Sequence, residues 1–196
     1  MSIHTIGDSH SYFGWSNNII NHHIGAVLCY SFSQKKLDLC DIREYNIKDG
    51  DTIVFCFGEI DCRCHIKKHI TNDKTYEDII DDIINNYFET IKLHIEISNI
   101  KFKNICVYNV VPPVMKKTTS ENLLYPFLGS DEERKNYVLY FNKKLNEKCI
   151  EKKYIFFNIY DEYKDINGFL RKDLSDGNVH IKNGIYISNF INQNNI

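Results

Sequence analysis

Neither sign of charge dominates this chain. Lys and Arg number 24 against 26 Asp and Glu, a formal net charge of -2 over 196 residues. Binding along a phosphate backbone needs a basic face, so this balance argues against nucleic acid as an obligate partner. Long apolar runs are also missing. No stretch approaches the roughly 18 apolar residues of a membrane span. Met1-Ser2-Ile3-His4 has neither the basic nor the apolar segment of a secretory signal. The expectation is a cytoplasmic chain with no membrane partner. No Gly-x-Gly-x-x-Gly and no Walker loop follows the first apolar run, which weighs against a nucleotide-binding protein. Seven cysteines is an odd number, and without an export signal reduced thiols are the simplest reading. Cys62-Arg63-Cys64 with His65 and His69 has metal-binding residue types but lacks a second ligand pair. No metal and no cofactor are expected. Repeats, low-complexity tracts and linkers are absent, so residues 1–196 read as one domain.

What is present is a folding composition, 43% hydrophobic and 13% aromatic. Residues 2–6 read as a buried strand, followed by a loop over residues 7–14. A short helix is predicted from about Trp15 to His22, and Ala26 to Phe32 has the length of a strand. Asp49-Gly50-Asp51 is a turn signal. Thr52 to Phe57 is a continuous β-branched and aromatic run, suited to a parallel strand covered on both faces. Thr75 to Asn99 repeats Ile, Tyr and Phe at helical spacing, with Thr75 as a cap. Asn104 to Val111 is a further strand, stopped by Pro112-Pro113. Ser130-Asp131-Glu132-Glu133 is a capping box that opens a helix to about Glu151. Tyr154 to Ile159 reads as the last strand, Asp165 to Leu174 as a loop, and the residues after His180 as a helix. Such alternation predicts an α/β protein, a three-layer α/β/α sandwich with a mainly parallel sheet. Ligands in such sheets bind at the carboxyl ends of the strands.

Three polar stretches fall where that rim is expected: Gly7-Asp8-Ser9-His10, Gly58-Glu59-Ile60-Asp61-Cys62-Arg63 and Asp176-Gly177-Asn178-Val179-His180. A serine hydroxyl becomes a nucleophile when a base takes its proton. Imidazole is the usual base, and a carboxylate fixes its tautomer. Ser9, His180 and Asp176 supply those three groups. Backbone N–H groups beside a serine at a strand end can stabilise the oxyanion of acyl transfer. Each stretch alone also reads as an ordinary turn or cap; their order along the chain favours a joint site.

These blocks, with Gly25, resemble the SGNH (GDSL-type) hydrolases, and most closely a subgroup carrying the string found here at residues 58–63. The resemblance spans almost the whole chain. It implies a flavodoxin-like fold and a serine esterase, commonly an O-deacetylase or O-acyl transferase on a carbohydrate or small ester. It implies Ser9 as nucleophile and oxyanion donor, Gly25 as a second N–H donor, His180 as base and Asp176 as its orienting acid. Asp8, His10, Gly58, Glu59, Asp61 and Arg63 are the further candidates for the oxyanion and substrate-binding surface. Two positions depart from the family pattern. Ile60 stands where the family has an oxyanion-donating Asn. Arg63 is a candidate replacement donor, or else an ion-pair partner of Glu59 or Asp61. Three residues rather than two separate Asp176 from His180, which leaves Asp173 as an alternative acid. His22 and His23 are expected at the surface. His65 and His69 are candidates to touch substrate. Phe13, Trp15 and Tyr30 are placed either on a sugar ring or in the core. The alternative function is a non-catalytic carbohydrate- or small-ligand-binding module on the same fold. Acyl group, alcohol and oligomeric state stay open.

Overall fold

Every strand of the sheet runs the same way. The computed structural model describes residues 1–196 and contains β1 (Ile3–Gly7), β2 (Ile20–His23), β3 (Thr52–Cys56), β4 (Asn104–Tyr108) and β5 (Ile155–Phe157). Their order across the sheet is β2-β1-β3-β4-β5, with each neighbouring pair parallel. This is the doubly wound 2-1-3-4-5 order, whose strand order reverses beside β1. The α/β/α expectation therefore holds, and the reversal falls at the strand that leads into Ser9.

Successive side chains of a strand face opposite ways, and here they feed two cores. Ile53 and Phe55 join Ile6, Val107 and the helices α1 (Cys29–Lys35), α3 (Tyr76–Ser98) and α4 (Asp131–Lys152). Val54 and Cys56 join Cys106, Tyr108, Phe157 and the helices α5 (Tyr160–Tyr163) and α6 (Ile185–Gln193) on the other face. A sixth helix, α2 (Ile66–His69), continues a wide π turn over Asp61–His65. Ser130 and Thr75 both close capping boxes, at the N-termini of α4 and α3. Each such cap contributes about 0.5–2 kcal/mol.

Two predicted elements differ in kind. The helix expected over Trp15–His22 is instead a turn leading into the edge strand β2. An edge strand is half wet, so its sequence, Ile20-Asn21-His22-His23, lacks an apolar signature. It is held by the Asn21 amide, which donates to Thr5 Oγ1 at 2.8 Å and to the Ser11 carbonyl at 2.9 Å. The strand expected over Ala26–Phe32 is instead the start of α1. Its buried residues, Cys29, Phe32 and Ser33, fall at helical spacing. Its first N–H groups are bonded by Asp61, distant in sequence: Cys29 N–H to Oδ2 at 2.6 Å and Tyr30 N–H to Oδ1 at 3.1 Å. His22 is not a free surface residue either; its ring stacks on Tyr45 at 4.1 Å and its Nε2 lies 3.0 Å from His4 Nδ1. No helix is long and apolar enough to cross a membrane.

Candidate active site

Gly7 ends β1 where no side chain fits, because a Cβ there would lie 1.9 Å from the Cys56 carbonyl oxygen. That close approach lets the Asp8 N–H bond Cys56 O at 3.2 Å and turns the chain out of the sheet. Ser9–Ser11 forms one 3₁₀ turn, capped by Asp8 Oδ1, which accepts the His10 N–H at 2.9 Å. The turn is pinned from below: Thr5 Oγ1 donates to Ser11 O at 2.6 Å, and Trp15 Nε1 donates to His10 O at 2.8 Å. Trp15 belongs to the core, not to a ligand platform. Ser9 is left half-buried at the rim, and its own N–H has no partner within the chain.

The partner segment is a tight antiparallel turn closed by Ser175 and Ile181. Asp176 Oδ1 accepts the Asn178 N–H at 2.8 Å and the His180 N–H at 3.3 Å. Asp176 Oδ2 lies 2.8 Å from His180 Nδ1, and His180 Nε2 lies 2.9 Å from Ser9 Oγ. The extra residue between Asp176 and His180 is absorbed in this turn. Asp173 is instead paired with Arg171 at 2.6 Å, so Asp176 is the acid on the imidazole. Burial opposes ionisation of Asp176, yet the His180 and Asn178 hydrogen bonds hold its carboxyl below the usual range. An ionised Asp176 places the hydrogen on Nδ1 and leaves the Nε2 lone pair to accept from the Ser9 hydroxyl. Burial, then the charge of His10, push His180 below its ordinary value against the pull of Asp176. His180 is therefore neutral at neutral pH. Phe13 stacks on the His180 ring at 4.2 Å and 19°, fixing its plane.

On the other side of Ser9, the Ile24 N–H donates to Gly7 O at 3.0 Å. This brings Gly25 onto the rim one residue beyond. Its N–H takes no part in the backbone bonds of the turn, and a Cβ there would meet nothing within 4 Å. Ser9 and Gly25 thus offer two free backbone donors. The third expected donor is missing, since Ile60 is apolar and 2% exposed.

The remaining candidates lie behind the site. Asp61 is fully buried and spent on the α1 N-terminus; burial pushes its carboxyl up to about 7 against those two N–H bonds. It is not a substrate-contacting residue. Arg63 is the ion-pair partner of Glu59, with Nη2 to Oε2 at 3.3 Å. Its guanidinium lies over the Phe127 ring at 5.6 Å, and Arg134 covers the same ring at 5.1 Å. Gly58 packs where a Cβ would meet Phe141 and Val110 at 2.8 Å, a structural role. Asp8 and His10 belong to the turn that carries Ser9 but are buried, so neither is open to a ligand at the rim. His65 and His69 pack on each other at 4.4 Å, and Tyr30 packs on His65 at 4.7 Å. These three line a separate cavity of about 220 Å³ between α1, the π turn and α3. No cluster of three or more His, Cys, Asp or Glu side chains is placed to hold a metal ion, and all seven cysteines are free and buried. Two contacts had no signal in the sequence: Thr119 Oγ1 to Asn178 Oδ1 at 3.0 Å, and Tyr125 OH to Ala26 O at 3.1 Å. The segment between β4 and α4 thereby braces both the acid turn and the Gly25 turn.

No protein-family model and no curated protein matches the sequence. Solved structures do match its fold over nearly the full length. An inferred acylhydrolase from Bacteroides fragilis has a TM-score of 0.66 at 16% identity, over 98% of this chain and 85% of that one. A GDSL-like lipase from Bacteroides thetaiotaomicron gives 0.61 at 14% identity, over 98% and 86%. The aryl esterase of M. smegmatis gives 0.60 at 11% identity, over 98% of both chains. The chain therefore has the α/β/α fold seen in these three structures.

Proposed function

We propose that this chain is a serine esterase of the SGNH type, acting on an ester of a carbohydrate or small alcohol. The observation that carries the reading is the Ser9–His180–Asp176 line, at 2.9 and 2.8 Å. The three proteins whose fold it shares are named as an acylhydrolase, a lipase and an esterase, all names for hydrolysis. In the proposed reaction Ser9 Oγ attacks the acyl carbon while its proton passes to His180 Nε2. The Ser9 and Gly25 N–H groups face the charge that develops on the carbonyl oxygen. The tetrahedral intermediate then collapses, and the leaving alcohol takes the proton from His180. Water repeats the sequence to release the acid. Support for a sugar-like alcohol comes from two exposed aromatic rings, Phe13 against His180 and Tyr12 edge-on to Phe13, which suit stacking on a ring face.

The test is turnover of p-nitrophenyl acetate. The wild-type chain hydrolyses it and Ser9→Ala does not, with the fold intact by circular dichroism. Equal turnover by Ser9→Ala would contradict the reading. The missing side-chain donor at Ile60 favours a second reading, a ligand-binding module that uses the same rim without chemistry. That reading predicts no turnover by the wild-type chain on any ester.

A further inference from the structure

His10 lies beside the reacting pair without touching it, and the proposed proton transfer leaves it unused. Its ring is 5% exposed and centred 5.2 Å from the His180 ring. Nδ1 lies 3.1 Å from Asp8 Oδ1, and Nε2 lies 3.2 Å from the Val179 carbonyl oxygen. Asp8 immediately precedes the nucleophile, and Val179 immediately precedes the base. One buried side chain therefore joins the two segments that must stay in register for Ser9 and His180 to meet.

The partners also decide the protonation of this ring. A carbonyl oxygen only accepts, so Nε2 must carry a hydrogen. Asp8 Oδ1 already accepts the backbone N–H of His10, and its second lone pair accepts a hydrogen from Nδ1. Both nitrogens then donate, and the ring is an imidazolium. Resting on the esterase reading above, we propose that His10 is a positioning residue. Held as a buried imidazolium between Asp8 and Val179, it locks base to nucleophile and keeps His180 unprotonated into mildly acid solution.

The surrounding charges are consistent with this. Burial by itself would lower the His10 value. The hydrogen bond and charge of Asp8, the charge of Glu59 and the Val179 carbonyl together outweigh it and raise the value. Glu59 is itself paired with Arg63, and the nearest titrating neighbour on the catalytic turn is His180 with Asp176. A cation at this distance opposes a second cation on His180. The acid limb of the rate profile therefore lies below the ordinary imidazole range.

The experiment compares wild type, His10→Gln and Ser9→Ala across pH with p-nitrophenyl acetate. His10→Gln lowers kcat about 10²-fold, as expected for a small misplacement of the base, with KM little changed. Its acid limb moves to higher pH, because the cation that opposed a proton on His180 is gone. A uniform loss at every pH with the limb in place would show packing only and overturn the proposal, as would unchanged activity. Nitrogen-15 NMR of the wild-type chain at neutral pH gives a second readout that needs neither turnover nor a folded variant. Two protonated ring nitrogens on His10 support the proposal, and one contradicts it. Persisting turnover in Ser9→Ala would overturn the esterase reading instead, while the NMR result still decides the state of His10.

Discussion

Ser9 has the same hydroxyl as any other serine; its neighbours set it apart. His180 reaches it at 2.9 Å, and Asp176 sets the tautomer of that imidazole. Asp176→Asn tests this pairing. The Asn amide donates to Nδ1, which moves the ring hydrogen to Nε2, and Nε2 can then no longer take the serine proton. Turnover of p-nitrophenyl acetate falls by on the order of 10²–10⁴ with KM little changed. A loss under about tenfold would mean that the carboxylate does not orient the base. The three residues were legible in the sequence because their types and order are distinctive. The function of Asp61 was not, because a carboxylate in a polar string reads the same whether it faces substrate or caps a helix. Only the fold shows that it is 0% exposed and bonded to the Cys29 and Tyr30 N–H groups. Arg63 is similar: pairing with Glu59 and donation to an oxyanion both suit its position in sequence, and the structure holds the former.

The elements legible in the sequence are those whose burial is one-sided or total. α3 and α4 repeat apolar residues at helical spacing and begin with capping boxes. β3 is buried at every residue and reads as one apolar run. The misread elements owe their form to distant partners. β2 is a strand because β1 offers it an edge, with His4 to Gly7 opposite Ile20 to His23. α1 is a helix because a carboxylate about thirty residues later satisfies its first N–H groups, and propensity over a seven-residue window is too weak to announce it. Both misread elements lead into or out of the Gly25 turn. The elements flanking the Gly25 turn are therefore the least legible in the sequence, and the strand that leads into Ser9 is among the most legible.

The whole molecule is a sheet between two cores, with Ser9, His180 and Asp176 on one rim and further histidines inside. His94 is the clearest of these. It is 0% exposed, stacks on Phe32 at 5.3 Å, and neither ring nitrogen has a partner. Burial lowers it from 6.5 to about 4. Between those values the unfolded chain takes up a proton that the folded chain refuses, so His94 costs stability as pH falls from about 6.5 toward 4. His94→Phe removes that proton uptake and keeps the stack. Measured by urea unfolding, its stability relative to wild type rises between neutral pH and mildly acid pH; an equal difference at both would show that His94 does not titrate in this way. Comparing the pair cancels the opposite contributions of Asp61, Glu59 and His10, which are common to both chains. The most direct test of the central claim is covalent. Treat the chain with a fluorophosphonate and read the intact mass, because only an activated serine reacts readily. One adduct is expected, mapped to Ser9, absent from Ser9→Ala and strongly reduced in His180→Ala. An unlabelled wild-type chain, or the same adduct on Ser9→Ala, would contradict it.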